Sequence, residues 1–432
     1  MFFIIGACVM SDNSDTQNLS EILFKPHFNY QETSFISNSG CEIPCIKDED
    51  DSLGFSKDWY RPIRTFMWVF LGSNLLDIDE ALANISTAQG ERKRPECFDT
   101  IAQYGPGNWI YEFNAIAQRR VNLGADLEKQ GEILKASHQY RMASRYFSIA
   151  SYPFLRGDVL SSESLMHSRR IYKRMIEMDP TNGEISEETF SVKYQKVSGF
   201  LHLPDKTHVH PCVIMVSGYE QNVTDFYKFY NIYLRPKGIA LFSIDMPGMG
   251  SCSKLTLSAE SSIVVDAAIS HLKNLKNIDS THLGLCGMRT AGTACLRSAI
   301  LNPSDIKAVS VIAPAVHSLF TDASLLNSLP LCVRSSCANR MGLDAASWDT
   351  IVPQVRVLSL KTQGLLSNSG KCPVPCSVFA VRNSLVSSED IKLLEGTFKE
   401  CRVDVQEKKG YSEFLLESLD QSAKFFASLL VD

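Results

Sequence analysis

The tightest constraint on this chain is a series of short, nearly unbroken apolar segments in its C-terminal half. "PCVIMVSG" (211–218), "IALFSIDMPG" (239–248), "HLGLCG" (282–287), "IKAVSVIAPAV" (306–316) and "PVPCSVFAV" (373–381) each have the length of one strand. A strand that is apolar on both faces must be covered on both faces, so helices are needed above and below a mostly parallel sheet. Helical segments stand between these strands: "DFYKFYNIYLRPKG", "ESSIVVDAAISHLKNL", "TACLRSAIL", and "FLLESLDQSAKFFASLL" after a last strand in "CRVDVQEKKG". "FSVKYQKVSGFLHLP" ahead of them reads as a hairpin. The pattern predicts the α/β class.

Upstream the period changes to that of a helix. From Trp59 to about Met178, "WYRPIRTFMWVFLG", "DIDEALANIST", "GNWIYEFNAIAQRRVNLGADLEKQG", "EILKASHQYRMASRYFSIASYPFL" and "SSESLMHSRRIYKRMIEM" repeat apolar residues at roughly 3.6-residue spacing. Their aromatics, among them Trp59, Trp68, Trp109, Tyr111, Tyr140 and Phe147, are expected to form a helical core rather than line a ligand cavity. "DPTNGEIS" (179–186) is a turn-rich hinge. The expected organisation is a polar segment over 1–57, a helical domain over 58–185 and an α/β domain over 186–432. "LFTDASLLNSLPLCVRSSCANRMG" interrupts the strand order and predicts a helical lid at about 318–350.

At 432 residues the chain exceeds one ordinary core, in keeping with two folded parts. A net charge of −5 without a basic stripe argues against nucleic acid, and no apolar run has the length to cross a bilayer. "MFFIIGACVM" imitates the apolar part of a signal peptide but lacks a positive start, so translation is expected to begin at Met10. Thirteen cysteines, an odd number, fit a reducing compartment, and the expected location is the cytoplasm. The pairs Cys41/Cys45 and Cys372/Cys376 lack further ligands at zinc spacing and are read as loop cysteines, with no metal and no cofactor expected.

"HLGLCGMRTAG" (282–292) carries the site argument, because a strand entering a helix through small residues is where hydrolases mount a nucleophile. In the G-x-S-x-G elbow the residues two before and two after the nucleophile nearly touch. With Cys286 at the apex those positions are Gly284 and Met288, and methionine is too large. With Arg289 at the apex they are Gly287 and Ala291, and Gly292 lets the helix pack close. Arg289 therefore takes the apex, flanked by Met288 and Thr290, and Cys286 is a buried strand residue. A guanidinium has five donors and no lone pair; it can hold a carboxylate but cannot attack a carbonyl. The other triad places fail too. His317 is the last histidine, the final strand–helix loop offers Lys408, Lys409, Tyr411 and Glu413, and the acid position offers Asn383 and Ser384.

"VSGYEQN" brings Gly218, Tyr219 and Glu220 to the oxyanion-hole loop, and "DMPGMGSC" brings Asp245, Gly248 and Gly250 to the next turn. Glu220 and Arg289 are expected to pair in one cavity, as a structural plug or as part of a ligand site.

The chain resembles the FrsA family (fermentation–respiration switch proteins, YafA-type esterases) in separated blocks: "NLSEILFKPHFNYQETS", "WYRPIRTFMWVFLG", "GPGNWIYEF", "IASYPFLRGD", "SGFLHLP" and "IDMPGMGSCSK". The family elbow reads G-F-R-F-G, so "GMRTA" keeps the arginine and loses the aromatic and the second glycine. The family also has Asp where this chain has Glu220, and N-D-P-F-S where it has "NSLVSS". The resemblance implies an α/β-hydrolase fold behind a helical N-terminal domain and carboxylesterase activity on small esters. It also implies a role in the balance of fermentation and respiration, with the unphosphorylated glucose-specific IIA phosphotransferase protein as partner. The residues alone favour a different reading, a catalytically silent fold that binds a small carboxylate at Arg289. A purely structural interaction protein is the third.

Overall fold

The computed structural model describes residues 58–366, 372–382, 384, 386–407 and 410–431. The readings made for residues 1–57, including the start at Met10 and the Cys41/Cys45 pair, lie outside them. Among the described residues five helices come first: α1 (Thr65–Phe70), α2 (Leu75–Thr87), α3 (Trp109–Lys129), α4 (Ile133–Ser151) and α5 (Val159–Met178). Asn74, Asn108 and Asp158 cap α2, α3 and α5 by accepting backbone N–H groups that a helix start leaves without partners. Trp68, Trp109, Tyr140 and Phe147 are buried in one apolar cluster, and the Trp109 ring nitrogen donates to the Ile149 carbonyl at 2.8 Å. These aromatics form a helical core.

The sheet strands are β1 (Glu184–Val192), β2 (Gln195–Leu203), β3 (His210–Val216), β4 (Ala240–Ile244), β5 (Ile278–Met288), β6 (Ala308–Ile312), β7 (Cys376–Val381) and β8 (Cys401–Gln406). They lie in the order β1-β2-β4-β3-β5-β6-β7-β8. β1 and β2 form the expected hairpin, β2 runs antiparallel to β4, and from β4 to β8 every pairing is parallel. This is the α/β-hydrolase arrangement. Helices α6 (Ile263–Leu272) and α7 (Thr290–Leu301) belong to the same half of the chain, as do α12 (Ser388–Thr397) and α13 (Tyr411–Leu430). Alternate residues of β3 enter different apolar clusters, Cys212, Ile214 and Val216 in one and Val213 and Met215 in the other. Burial on both faces explains why the segment reads as unbroken apolar sequence.

Between β6 and β7 the chain inserts α8 (Ser318–Thr321), α9 (Ala323–Ser328), α10 (Leu331–Met341) and α11 (Trp348–Val355). The segment after β3 departs from the regular helix expected there. It is a 3-10 turn (Val223–Phe226), a π-helical turn (Phe229–Leu234) and a second 3-10 turn (Arg235–Lys237). Phe226, Phe229, Tyr230 and Leu234 are all buried, and Pro236 sits in the first positions of the last 3-10 turn before Gly238 turns the chain at φ 72.

Candidate active site

The elbow is built by β5, one residue, and α7. Arg289 sits between them at φ 50, ψ −120, a conformation costly for any residue with a side chain and typical of functional turns. Neighbouring strand ends hold it there: its N–H donates to the Ile312 carbonyl at 2.9 Å, and its carbonyl accepts from Ala315 at 3.1 Å. A Cβ on Gly287 would lie 2.8 Å from the Ala291 backbone, the close crossing that requires small residues in this register. Cys286 is fully buried, and burial pushes its thiol up to about 12, so no thiolate is presented.

Above the elbow is a small cavity of about 60 Å³, roughly four to six water-sized volumes at ~10–15 Å³ each. Gly218, Tyr219, Glu220, Met288, Arg289 and Thr290 line it, so the structure brings these sequence-predicted residues together. Two of the four non-glycine residues with positive φ among the described residues, Arg289 and Ala313, stand in the same wall. Leu319, Leu329, Pro330 and Val333 of the inserted segment roof it.

Arg289 Nη1 donates to Glu220 Oε2. Arg64, which sequence reasoning missed, reaches the same glutamate from the start of α1. Its Nη1 donates to the Glu220 carbonyl at 3.2 Å and its Nη2 lies 3.6 Å from Oε2. Burial alone would raise the proton affinity of Glu220, but Arg64 and then Arg289 outweigh it and hold the carboxyl below its ordinary value. Glu220 Oε1 is buried and accepts no hydrogen bond from the described residues. The one sequence signal for Arg64 is a cation inside the aromatic stretch "WYRPIRTFMWVFLG".

Asp245 does not join this group. Its carboxylate turns away from the cavity, 3.4 Å from Arg169 of α5, and accepts from Ser217 Oγ and the Ser251 N–H at 3.3 Å each. A Cβ on Gly250 would lie 2.1 Å from Asp245 Oδ2, so the glycine turn after β4 serves to close over that carboxylate. Burial, opposed by Arg169, raises the Asp245 proton affinity.

Tyr219 is a largely buried part of the wall, and its carbonyl accepts from Arg340 of α10 at 2.9 Å while the Arg340 guanidinium lies over its ring. His317 bonds Ser359 Oγ through Nδ1 at 2.8 Å and is not in the cavity wall. Ser384 and Glu413 are exposed and also outside the wall, while Asn383, Lys408 and Lys409 lie outside the described residues. Among the described residues, none that lines the cavity is serine, cysteine or histidine.

The model of the family described as "Esterase FrsA-like" matches residues 14–430. Esterase FrsA of Klebsiella pneumoniae subsp. pneumoniae is 33% identical over 360 residues, 83% of this chain and 85% of that protein. Esterase FrsA of Photobacterium profundum is 30% identical over 393 residues, 89% of this chain and 91% of that one. Among solved structures, a 2,6-dihydroxy-pseudo-oxynicotine hydrolase superposes with a TM-score of 0.66 at 15% identity, covering 84% of this chain and 95% of its own. AbyA5 gives 0.60 at 15% identity, over 84% and 98%. At such identities the two structures share the fold with this chain.

Proposed function

The chain belongs to the FrsA-like esterase family, and from that premise we propose that it hydrolyses small carboxylic esters at the Arg289 elbow by direct attack of water. The observation that carries the reading is the pairing of a cation at the strained apex with a carboxylate whose second oxygen accepts no hydrogen bond from the described residues. In this mechanism the ester carbonyl oxygen meets Arg289 and the N–H of Thr290, the first residue of α7, which has no acceptor inside its own helix. Ligand entry trades part of the present Arg289 bonding for bonds to that oxygen.

The same loosening of the Arg289 contact turns the buried Oε1 of Glu220 to the cavity, where it takes a proton from water as the water oxygen bonds to the carbonyl carbon. The tetrahedral intermediate then collapses, the carbon–alkoxide bond breaks, and Glu220 returns the proton to the leaving alcohol. A carboxyl held below its ordinary value is ionised at neutral pH but is a weak base, so slow turnover and a preference for good leaving groups are expected. As part of the same proposal we carry a cytoplasmic location, the link to fermentation and respiration, and binding of unphosphorylated glucose-specific IIA protein. Calorimetric titration of the two purified proteins tests the last.

A second reading is favoured by the absence of serine, cysteine and histidine among the described residues of the wall: a silent hydrolase fold that binds a small carboxylate at Arg289. Turnover of p-nitrophenyl acetate or butyrate separates the two. The hydrolytic reading expects turnover that Arg289→Ala and Glu220→Ala each abolish. Activity surviving both changes, or blocked by a serine-directed organophosphate, overturns it. Thermal stabilisation by acetate or a similar carboxylate without turnover supports the silent binder.

A further inference from the structure

The "CPVPC" pair does not act as two loop cysteines. Cys376 is the first residue of β7, and its partner across the sheet is Cys401, the first residue of β8. Residues directly paired in neighbouring strands have their Cα atoms about 4.7–4.9 Å apart with side chains on one face. That spacing lies inside the roughly 4.4–6.8 Å that a disulfide spans. Both side chains enter the same apolar cluster, Cys376 fully buried and Cys401 partly exposed on the edge strand. Cys372 is turned elsewhere, its Sγ donating to the Ala299 carbonyl at 3.4 Å. Among the described residues no three side chains are grouped to hold a metal ion.

We propose that Cys376 and Cys401 are a peroxide-sensitive thiol pair that closes to a reversible disulfide, with Cys401 oxidised first. Accessibility sets the order, because solvent reaches Cys401 and not Cys376. The electrostatics agree: the neighbouring Cys376 thiol draws Cys401 below its usual value, while burial drives Cys376 well above its own.

In the first step the Cys401 thiolate attacks one peroxide oxygen. The O–O bond breaks, Cys401 becomes a sulfenic acid, and the other oxygen leaves as water or an alcohol after taking a proton. In the second step the Cys376 sulfur attacks the Cys401 sulfur, its proton leaves with the departing hydroxide as water, and the S–S bond forms. Two thiols are oxidised by two electrons and one peroxide is reduced. The product would staple the edge strand β8 to β7.

The test is peptide mapping of the full chain, reduced and desalted, then treated with graded hydrogen peroxide and alkylated. The expected result is a cross-linked pair containing Cys376 and Cys401, two hydrogens lighter than the reduced peptides and lost on addition of dithiothreitol. Cys401→Ala should remove the cross-link, and Cys376→Ala should leave a Cys401 sulfenic acid that dimedone traps. The mapping of the unsubstituted chain decides the matter even where a variant fails to fold. Thiols that remain reduced while free glutathione is oxidised overturn the proposal. So does a Cys372–Cys376 disulfide, or Cys401 sulfinic acid formed without a cross-link.

Discussion

Glu220 and Asp245 follow the carboxyl ends of adjacent parallel strands, β3 and β4, and solvent is almost excluded from both side chains. Burial pushes both toward the protonated form, yet they end on opposite sides of the ordinary carboxylate range. Two guanidiniums, Arg64 and Arg289, bracket Glu220 and hold it down, whereas Asp245 meets Arg169 at 3.4 Å and remains raised. Arg169 divides itself further, bonding Glu187 at 2.8 Å and Ser198 at 2.9 Å. Neighbouring strand ends in one sheet thus carry one carboxylate kept ionised at the elbow and one turned to join the sheet to α5. The number of cations aimed at each carboxylate, more than its depth, decides which of the two can serve a site.

The comparison breaks most easily at Glu220. Glu220→Ala leaves Arg64 and Arg289 facing a wall without its carboxylate, and a loss of about 3–5 kcal/mol in unfolding free energy is expected from denaturant titration at neutral pH. A variant as stable as the parent would mean that the pair is a surface contact in energetic terms. Asp245→Asn keeps the shape; its one amide oxygen can accept from the Ser251 N–H, its NH2 can donate to a rotated Ser217 Oγ, and Arg169 retains Glu187. Its expected cost is smaller, about 1–2 kcal/mol. Equal losses in the two variants would erase the distinction drawn between the carboxylates.

Acid titration sharpens the same contrast through its sign. Glu220 has a depressed folded value, so its contribution is present above the unfolded carboxylate value of about 4.3 and is lost as pH falls through the folded one. Glu220→Gln should therefore flatten the acid limb of the stability curve. Asp245 is raised, so its contribution is present below about 3.9 and is lost as pH rises through the folded value. The penalty of Asp245→Asn should shrink on going from pH 4 to pH 7. Unfolding midpoints measured across that range would show the two variants diverging from the parent in opposite senses.

What sequence could disclose of the site follows from how local each determinant is. The apex position of Arg289 depends on Gly287 and Ala291, residues two places away, and so is legible from a short stretch. Arg64 comes from 156 residues upstream of Glu220, and no spacing rule connects them. Asp245 shows the same limit: its strand-end position is readable, but its direction is set by Arg169, 76 residues earlier. The π-helical turn after β3 is hidden because its burial is imposed by the sheet and by α13 rather than by a simple helical period. The strand succession and both-face burial are legible throughout, since each strand carries its own apolar composition. Cys376 belongs to the strand segment "PVPCSVFAV" and not to a loop pair with Cys372, and its register opposite Cys401 is set by sheet pairing that no sequence spacing encodes.

The finest test of the contrast, with a stability effect no larger than that of Asp245→Asn, is expected at Arg340. This arginine is fully buried and donates to the carbonyls of Tyr219 at 2.9 Å and Pro153 at 3.5 Å, with no salt bridge among the described residues. Burial lowers its own value to about 10, showing how far its charge is taken from water. Replacing a buried charged group by an apolar one of similar length is often close to neutral, because the charge's desolvation cost is removed with its bonds. Arg340→Met should accordingly change the unfolding free energy by less than about 2 kcal/mol, the Tyr219 carbonyl losing its donor in the exchange. The charge still reaches Glu220 through space and favours its ionised form. Removing it should move the Glu220 titration toward higher pH, read from the side-chain carboxyl resonance, while the fold is retained. A destabilisation as large as that of Glu220→Ala would make Arg340 a structural keystone instead. An unmoved Glu220 titration would confine control of that carboxylate to Arg64 and Arg289.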